Sequence, residues 1–375
     1  MNVKLLDLAA QYEAIREDAE AEVLKVLRSQ RMILGENVKG LEADVAAYSG
    51  AKFALGCASG SDALILALRA FGIGHGAMVA IPAFTFFATA GAVSLTGATP
   101  VFVDIEPESF NMDAASLERA FKKHKKKIKA VIPVHLYGQC ADMDKITKVT
   151  KKFGAKVVED AAQSIGASYK GKGAGAIGDV GCFSFYPTKN LGGVGDGGMV
   201  TTNNQKAFDT LAMLRVHGSK VRYYHKIVGM NSRLDELQAA VLRVKFRKLD
   251  EWTNRRIENA AYYGKLFGAA GLAGSVTPPA HVVDGRHVYN QYVIRCKKRD
   301  GLREHLTKAG VGTDIYYPVP LHFQDCYKAL GYKKGSFPVS EAAAKEVLAI
   351  PVYPELKREE IKYVVDSIYA FYAGK

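Results

Sequence analysis

The stretch KVVEDAAQSIGASYKGKGAGAIGDVGCFSFYPTKNLGGVGDGGMV, residues 156–200, decides the fold. It opens on an apolar run, Val157-Val158, that ends at Asp160. After a glycine-rich passage it runs through Gly181-Cys182-Phe183-Ser184-Phe185-Tyr186 to a Pro187 stop and Lys189. Two strand patterns, each followed by a turn with a chemically active residue, put Asp160 and Lys189 at the carboxyl edge of one sheet. That pairing suits a bound organic cofactor. A lysine that forms a Schiff base needs a positioned turn and a lowered pKa, and an acid facing it can hold the protonated pyridine nitrogen of pyridoxal phosphate.

Working outward, apolar β-rich runs recur at 53–58, 78–83, 99–105, 129–137, 156–160, 181–186 and 197–202, separated by helical stretches such as 61–71 and 141–153. This alternation predicts an α/β fold with a mostly parallel seven-stranded sheet covered on its faces. From Leu242 the apolar spacing turns helical through Phe246, Leu249 and Trp252 and continues past Ile257 and Ala260, which predicts one long helix leaving the large domain. A large domain over 1–245 and a smaller α/β domain over 246–375, with a loop at 274–290, are therefore expected.

At 375 residues and 48% apolar, the chain can bury a large core. Its longest uncharged stretch, Gly76 to Val103, is interrupted by Pro82, Pro100, glycines and threonines. A strand, a helix and another strand fit it better than a membrane span. The N-terminal MNVKLLDLAAQYEAIRED shows no basic region followed by an apolar core, so a cytoplasmic location is expected. Cys57, Cys140, Cys182, Cys296 and Cys326 are scattered without metal-ligand spacing and read as buried free thiols. The net charge is +13, with six lysines between Lys122 and Lys129. No nucleic-acid-binding motif accompanies them, so they read as a solvated helix end, and the basic bias also suits a substrate carrying two phosphates.

Two motifs are decoys. Gly193-Val194-Gly195-Asp196-Gly197-Gly198 satisfies GxGxxG but leads into the strand-like MVTT instead of a helix, against a dinucleotide site. Gly166 to Lys172 nearly forms a P-loop, but Gly173 stands where a magnesium-binding Ser or Thr belongs.

Eight ordered blocks carry a resemblance that covers nearly the whole chain: RMILG (31–35), CASGSDALILAL (57–68), IPAFTFFATA (81–90), PVHLYGQCADMD (133–144), EDAAQSIGA (159–167), SFYPTKNLGGVGDGG (184–198), GMNSRLDELQAAVL (229–242) and YYPVPLH (316–322). The chain resembles the DegT/DnrJ/EryC1/StrS sugar aminotransferases, of the aspartate aminotransferase fold type. The resemblance implies a dimeric, pyridoxal-phosphate-dependent enzyme that moves an amino group from L-glutamate to the keto group, at C3, of a nucleotide-linked sugar. Its blocks look most like enzymes aminating UDP-2-acetamido-2-deoxy-3-oxo-glucuronate for surface polysaccharide, with dTDP-3-oxo-6-deoxyhexose aminotransferases as the alternative. Two other classes stay open: a pyridoxamine-phosphate-dependent sugar dehydratase, whose family pattern has histidine in place of Lys189, and a non-catalytic regulator.

Residue by residue, the resemblance makes Lys189 the Schiff-base lysine and Asp160 the partner of the pyridine nitrogen, a helix N-cap being the alternative for Asp160. Gln163, one helical turn on, would contact the cofactor's 3-hydroxyl. Gly60 and Ser61, at a strand-to-helix passage, would bind phosphate, with Ser184 adding a hydroxyl. Phe86 would stack on the ring, while Phe84 and Phe87 are expected in the core. The segment 214–242 looks like the family's loop to the partner subunit, so Asn231 would reach the neighbouring cofactor's phosphate and Arg233 an anionic part of the substrate. A local Arg233–Asp235 pair is the alternative. Tyr316, Tyr317 and His322 match a substrate-facing stretch, although relatives acting on uronates carry His-Tyr where this chain has Tyr316-Tyr317. No nucleic-acid, membrane or metal partner is expected.

Overall fold

Seven short apolar segments pair into one sheet: β1 (Phe53–Cys57), β2 (Met78–Pro82), β3 (Thr99–Val103), β4 (Ile128–Val131), β5 (Lys156–Asp160), β6 (Val180–Ser184) and β7 (Gly198–Thr202). A computed structural model describes residues 1–374. The spatial order is β1-β7-β6-β5-β4-β2-β3. β7 runs antiparallel to both of its neighbours, and the other pairings are parallel. Strands so placed are buried on both faces, which is why Val79-Ala80-Ile81 and Val101-Phe102-Val103 read as continuous apolar runs.

Two apolar layers sandwich this sheet. One face packs Leu41 and Val45 of the helix Glu36–Ser49, Leu117 and Phe121 of Ala114–His124, and Ile146 of Met143–Phe153. The other packs Leu64, Leu66 and Leu68 of the helix Gly60–Ala70, Val93 of Phe87–Leu95, and Leu211 of Gln205–Leu214. The helices Gly60–Ala70 and Phe87–Leu95 follow β1 and β2, which both run in the direction of the parallel strands, so their N-termini lie at the sheet's carboxyl edge. The uncharged stretch 76–103 is thus strand, helix and strand, and among the described residues no helix is long and apolar enough to cross a membrane.

The expected long helix is two. Glu236–Phe246 ends, and Leu249–Ala269 restarts after Arg247-Lys248. No glycine or proline marks the break, so the helical spacing passes through it unbroken. Beyond it, Val276–Thr277, Tyr292–Cys296 and Val347–Ile350 form an antiparallel sheet. The first of these strands falls inside the expected loop 274–290. Tyr263, Leu302 and Ile361 from three helices cover this sheet, and Val3 from the N-terminus joins their cluster. A further cluster joins Phe84, Ile105 and Tyr137 to Val293, Ala343 and Val347, packing the two sheets' surroundings together. Of the five cysteines, Cys326 is exposed, against expectation, because it lies in the short 3-10 turn Asp325–Leu330 at the surface.

Candidate active site

A cavity of about 560 Å³ opens at the carboxyl edge of the large sheet. Lys189 and Asp160 both line it, as do Gly60, Ser61, Phe86, Gln163, Ser184, Tyr316 and Tyr317. Nine of the residues singled out from the sequence therefore meet in one place.

Lys189 sits on a tight turn. Its N–H donates to the Tyr186 carbonyl at 2.9 Å, and the Gly193 N–H closes the loop onto Phe185 at 2.8 Å. A Cβ at Gly192 would lie 2.3 Å from the Pro187 carbonyl oxygen, so only glycine lets the turn fold back this closely. Burial lowers the Lys189 amine to about 8, against the opposing pull of the Asp160 charge. Uncharged amine is thus accessible near neutral pH.

Asp160 ends β5 and is buried. Its backbone continues the sheet, donating to Pro133 O at 2.9 Å and accepting from His135 N at 3.0 Å. Its Oδ2 accepts from the Thr89 hydroxyl at 2.8 Å and its Oδ1 from the Ala162 N–H at 3.2 Å. Burial pushes its pKa above the ordinary value, while the Thr89 hydroxyl, the Ala162 N–H and the Lys189 charge oppose the rise. No helix follows it. Residues 161–167 make two successive turns, Ser164 N to Ala161 O and Ala167 N to Ser164 O, with Gly166 at φ +81°, so Asp160 does not cap a helix. Gln163 reaches the cavity from a turn instead of a helical face. Its Oε1 accepts from Tyr137 N at 2.7 Å and its Nε2 donates to the Tyr317 hydroxyl at 3.1 Å.

The helix Gly60–Ala70 is capped by Ser59, whose Oγ accepts from Asp62 N at 3.1 Å and whose carbonyl accepts from Ala63 N at 3.0 Å. The N–H groups of Gly60 and Ser61 precede these bonds, at the positive end of the helix dipole. A Cβ at Gly60 would fall 2.6 Å from the Ser184 Cβ, which leaves a small cradle between helix start and strand end. Phe86 is 57% exposed, with its ring 5.9 Å from that of Tyr317. Phe84 is buried as expected, but Phe87 is 45% exposed against Tyr327, because its helix turns that face outward.

Three expected residues lie elsewhere. His322 does not line the cavity: it is buried, with Nε2 3.3 Å from Glu341 Oε1 and its ring packed between Phe323 and Phe337. It sits on the short 3-10 turn Leu321–Phe323, which points its ring into the core. Asn231 and Arg233 line a second, adjoining cavity that shares Ser59 and Asp196 with the first. Within one chain they stand apart from Lys189, and no ion pair joins Arg233 to Asp235 among the described residues.

Sequence reasoning missed Thr89, Asp196, Tyr186 and Gln291, all but Thr89 lining the main cavity. Gln291 lines the cavity, and its amide oxygen is buried without a protein partner. Glu159 was passed over as the neighbour of Asp160. Its carboxylate accepts from the backbone N–H groups of Gly175, Ile177 and Gly178 at 2.6 to 2.8 Å and lies 2.8 Å from His135 Nε2. It pins the glycine-rich passage to β5, which is the reason for a buried charge beside the site.

An amine, a buried acid, an amide, an open helix start with a neighbouring hydroxyl and an exposed aromatic ring together fit a phosphorylated pyridine aldehyde. Fold and cavity define an aminotransferase that uses pyridoxal phosphate. The chain belongs to the DegT/DnrJ/EryC1/StrS aminotransferase family, whose model matches residues 13–369. It is 52% identical to the pleiotropic regulatory protein of Geobacillus stearothermophilus, over 99% of each chain. It is 41% identical to the UDP-2-acetamido-2-deoxy-3-oxo-D-glucuronate aminotransferase of Pseudomonas aeruginosa, over 98% of this chain and 99% of the relative. Its fold superimposes on S. venezuelae DesV, solved in complex with a ketimine intermediate, with a TM-score of 0.95 at 42% identity, covering 100% and 99% of the two chains. Other relatives are named as transaminases of dTDP-linked sugars, and other similar structures were solved in PLP or PMP forms.

Proposed function

We propose that this protein transfers the amino group of L-glutamate to the C3 ketone of a nucleotide-linked sugar, with UDP-2-acetamido-2-deoxy-3-oxo-glucuronate as the first candidate and a dTDP-3-oxo-6-deoxyhexose as the second. The observation that carries an amine transfer is the meeting of Lys189 and Asp160 in one cavity. The choice of sugar is supported by the names of relatives and by the matching sequence blocks, and the net charge of +13 favours a substrate with a diphosphate. The name of the Geobacillus stearothermophilus relative, a pleiotropic regulatory protein, favours a second reading, in which this protein is a non-catalytic regulator. A complete amine, acid and phosphate cradle supports catalysis over that reading.

In this proposal Gly60, Ser61 and Ser184 hold the cofactor phosphate, Phe86 flanks the ring and Gln163 orients its hydroxyl. Bound there, the cofactor supplies an aldehyde to link amines and a ring that withdraws electrons from the adjoining carbon. Asp160 holds a proton on the ring nitrogen through a carboxylate shielded from water. Lys189 would hold the cofactor in the resting protein, and its Nζ, once freed uncharged, would be the base that takes the proton from the donor carbon and delivers it to the carbon on the far side of the linking nitrogen. Tyr316 and Tyr317 wall off the substrate side. We further propose a homodimer in which Asn231 and Arg233 complete the partner's site, and a division of the chain near residue 245.

The test offers ¹⁵N-glutamate and a panel of 3-keto and 4-keto UDP- and dTDP-sugars to the loaded protein, with products identified by mass spectrometry. Label should appear on a C3-keto sugar. Labelling of 4-keto substrates alone refutes the C3 assignment, and no labelling of any sugar refutes the activity.

A further inference from the structure

Two threonines flank the aromatic of the AFTFFATA segment, and both are turned inward: Thr85 is 2% exposed and lines the cavity, and Thr89 is fully buried on the first turn of the helix Phe87–Leu95. The Thr89 hydroxyl donates to Asp160 Oδ2 at 2.8 Å. A hydroxyl has one proton and an ionised carboxylate only accepts, so the Thr89 proton is committed. The 3.3 Å contact between the two threonine hydroxyls must then run from Thr85 to Thr89. The result is a directed chain, Thr85 to Thr89 to Asp160, that ends on one carboxylate oxygen. Helical threonines commonly bond back to a carbonyl one turn earlier, whereas Thr89 spends its hydroxyl on a residue 71 positions away.

We propose that Thr89, backed by Thr85, is a positioning residue that fixes the rotation of the Asp160 carboxylate and keeps it ionised against the ring nitrogen of the cofactor. The inference rests on the reading of Asp160 as the ring-nitrogen partner. Burial favours the neutral acid, and the Thr89 hydroxyl is the foremost of the groups that oppose it. The other groups facing Asp160 are few. Lys189 comes from its turn, with its amine near 8 and tied up once the cofactor is linked. Cys182 on β6 and Tyr317 are pushed well up by burial and stay neutral across the range of interest. The ring of His135 is taken by Glu159 and the Ala141 N–H. Without the threonine, the shared proton moves from ring nitrogen toward Asp160 and the ring loses its positive charge.

That charge lowers the pKa of the proton on the nearby cofactor–lysine linkage, so its loss raises the midpoint of the visible absorbance change with pH. In the loaded protein, Thr89→Val should raise this midpoint by about one unit, a tenfold change in the proton equilibrium. Turnover should fall about tenfold while KM for both substrates stays within about twofold, the pattern of a lost transition-state interaction. Thr89→Ser should restore the midpoint, and Thr85→Val should shift it less in the same direction. If Thr89→Val does not fold, Thr89→Ala removes the same hydroxyl with less bulk. Asp160→Asn is the reference and should raise the midpoint furthest. A shift in Asp160→Asn with none in Thr89→Val or Thr89→Ala overturns the inference and leaves the Asp160 reading standing, whereas no shift in any of them overturns both.

Discussion

Only an uncharged amine attacks an aldehyde, so the rate at which the cofactor-free protein captures pyridoxal phosphate reports the protonation of Lys189. Burial brings that amine from the ordinary 10.5 to about 8. At pH 7 roughly one amine in eleven is then free, against about one in 3,000 for an unperturbed lysine, a roughly 300-fold gain at equal intrinsic reactivity. The sign follows directly: capture accelerates as pH rises and levels off above about 8. Asp160→Asn perturbs this in a known direction, since the Asp160 charge raises the Lys189 pKa against burial. Removing it lowers the pKa further, so the rate at pH 7, taken relative to the high-pH plateau, should rise by up to about tenfold, the limit set by the fraction already free. Stopped-flow absorbance on mixing apoprotein with pyridoxal phosphate from pH 6 to 9.5 gives both numbers, with Lys189→Ala as the variant that captures nothing. A wild-type midpoint at or above 10, or a fall in the pH 7 to plateau ratio in Asp160→Asn, would refute the reasoning.

Gly60→Ala places a methyl 2.6 Å from the Ser184 Cβ and should weaken binding of pyridoxal phosphate tenfold or more while leaving pyridoxal, which lacks the phosphate, within about threefold. Equal losses for both, measured by equilibrium titration of apoprotein, would remove the cradle from phosphate binding. Mixing inactive Lys189→Ala with inactive Arg233→Ala protein should restore about a quarter of wild-type sites if two chains share each site and exchange at random. Verified exchange with no recovery means that both residues act in one chain. His322→Ala should lower stability by about 1–3 kcal/mol, through loss of buried packing, with KM for the sugar within about twofold, in denaturant unfolding and steady-state assays. A rise in KM of tenfold or more would return His322 to substrate binding.

The sheet was legible because parallel, covered strands are apolar throughout: each of the seven runs matches an observed strand to within a few residues at its start, and the excess at 132–137 is chain that leaves β4 for the site. The lining of the cavity was legible at strand ends and in the segments that follow them, as at Asp160, Ser184, Gly60 and Lys189. It was illegible where the partner comes from far along the chain. Thr89 meets Asp160, and Gln291 meets the Lys189 cavity, through packing that leaves no local periodicity. The turns after Asp160 were hidden because Ala161, Ala162 and Gln163 are good helix formers, and the backbone pairing of Asp160 with Pro133 and His135 overrides that preference. The same lack of punctuation conceals the break at Arg247-Lys248, and His322 was misplaced because a polar residue beside an expected substrate segment reads the same whether its ring turns to solvent or to Glu341.

The reversed direction of β7 has a consequence for how this architecture tolerates change in length. Ser184 and Gly198 are cross-strand partners, so residues 185–197 leave the sheet and rejoin it at the same edge, closed at both ends by the ladder. A parallel return would instead have had to carry the chain back along a face of the sheet. As built, the lysine rides an excursion that the ladder closes and that is pinned in between, where the Val194 N–H donates to Gln238 Oε1 of the helix Glu236–Phe246 at 2.9 Å and Asn190 Nδ2 donates to the Val288 carbonyl at 3.0 Å. A single residue gained or lost between Phe185 and Gly197 would therefore shift the amine relative to Asp160, because the ladder and these two tethers fix the path on either side of it.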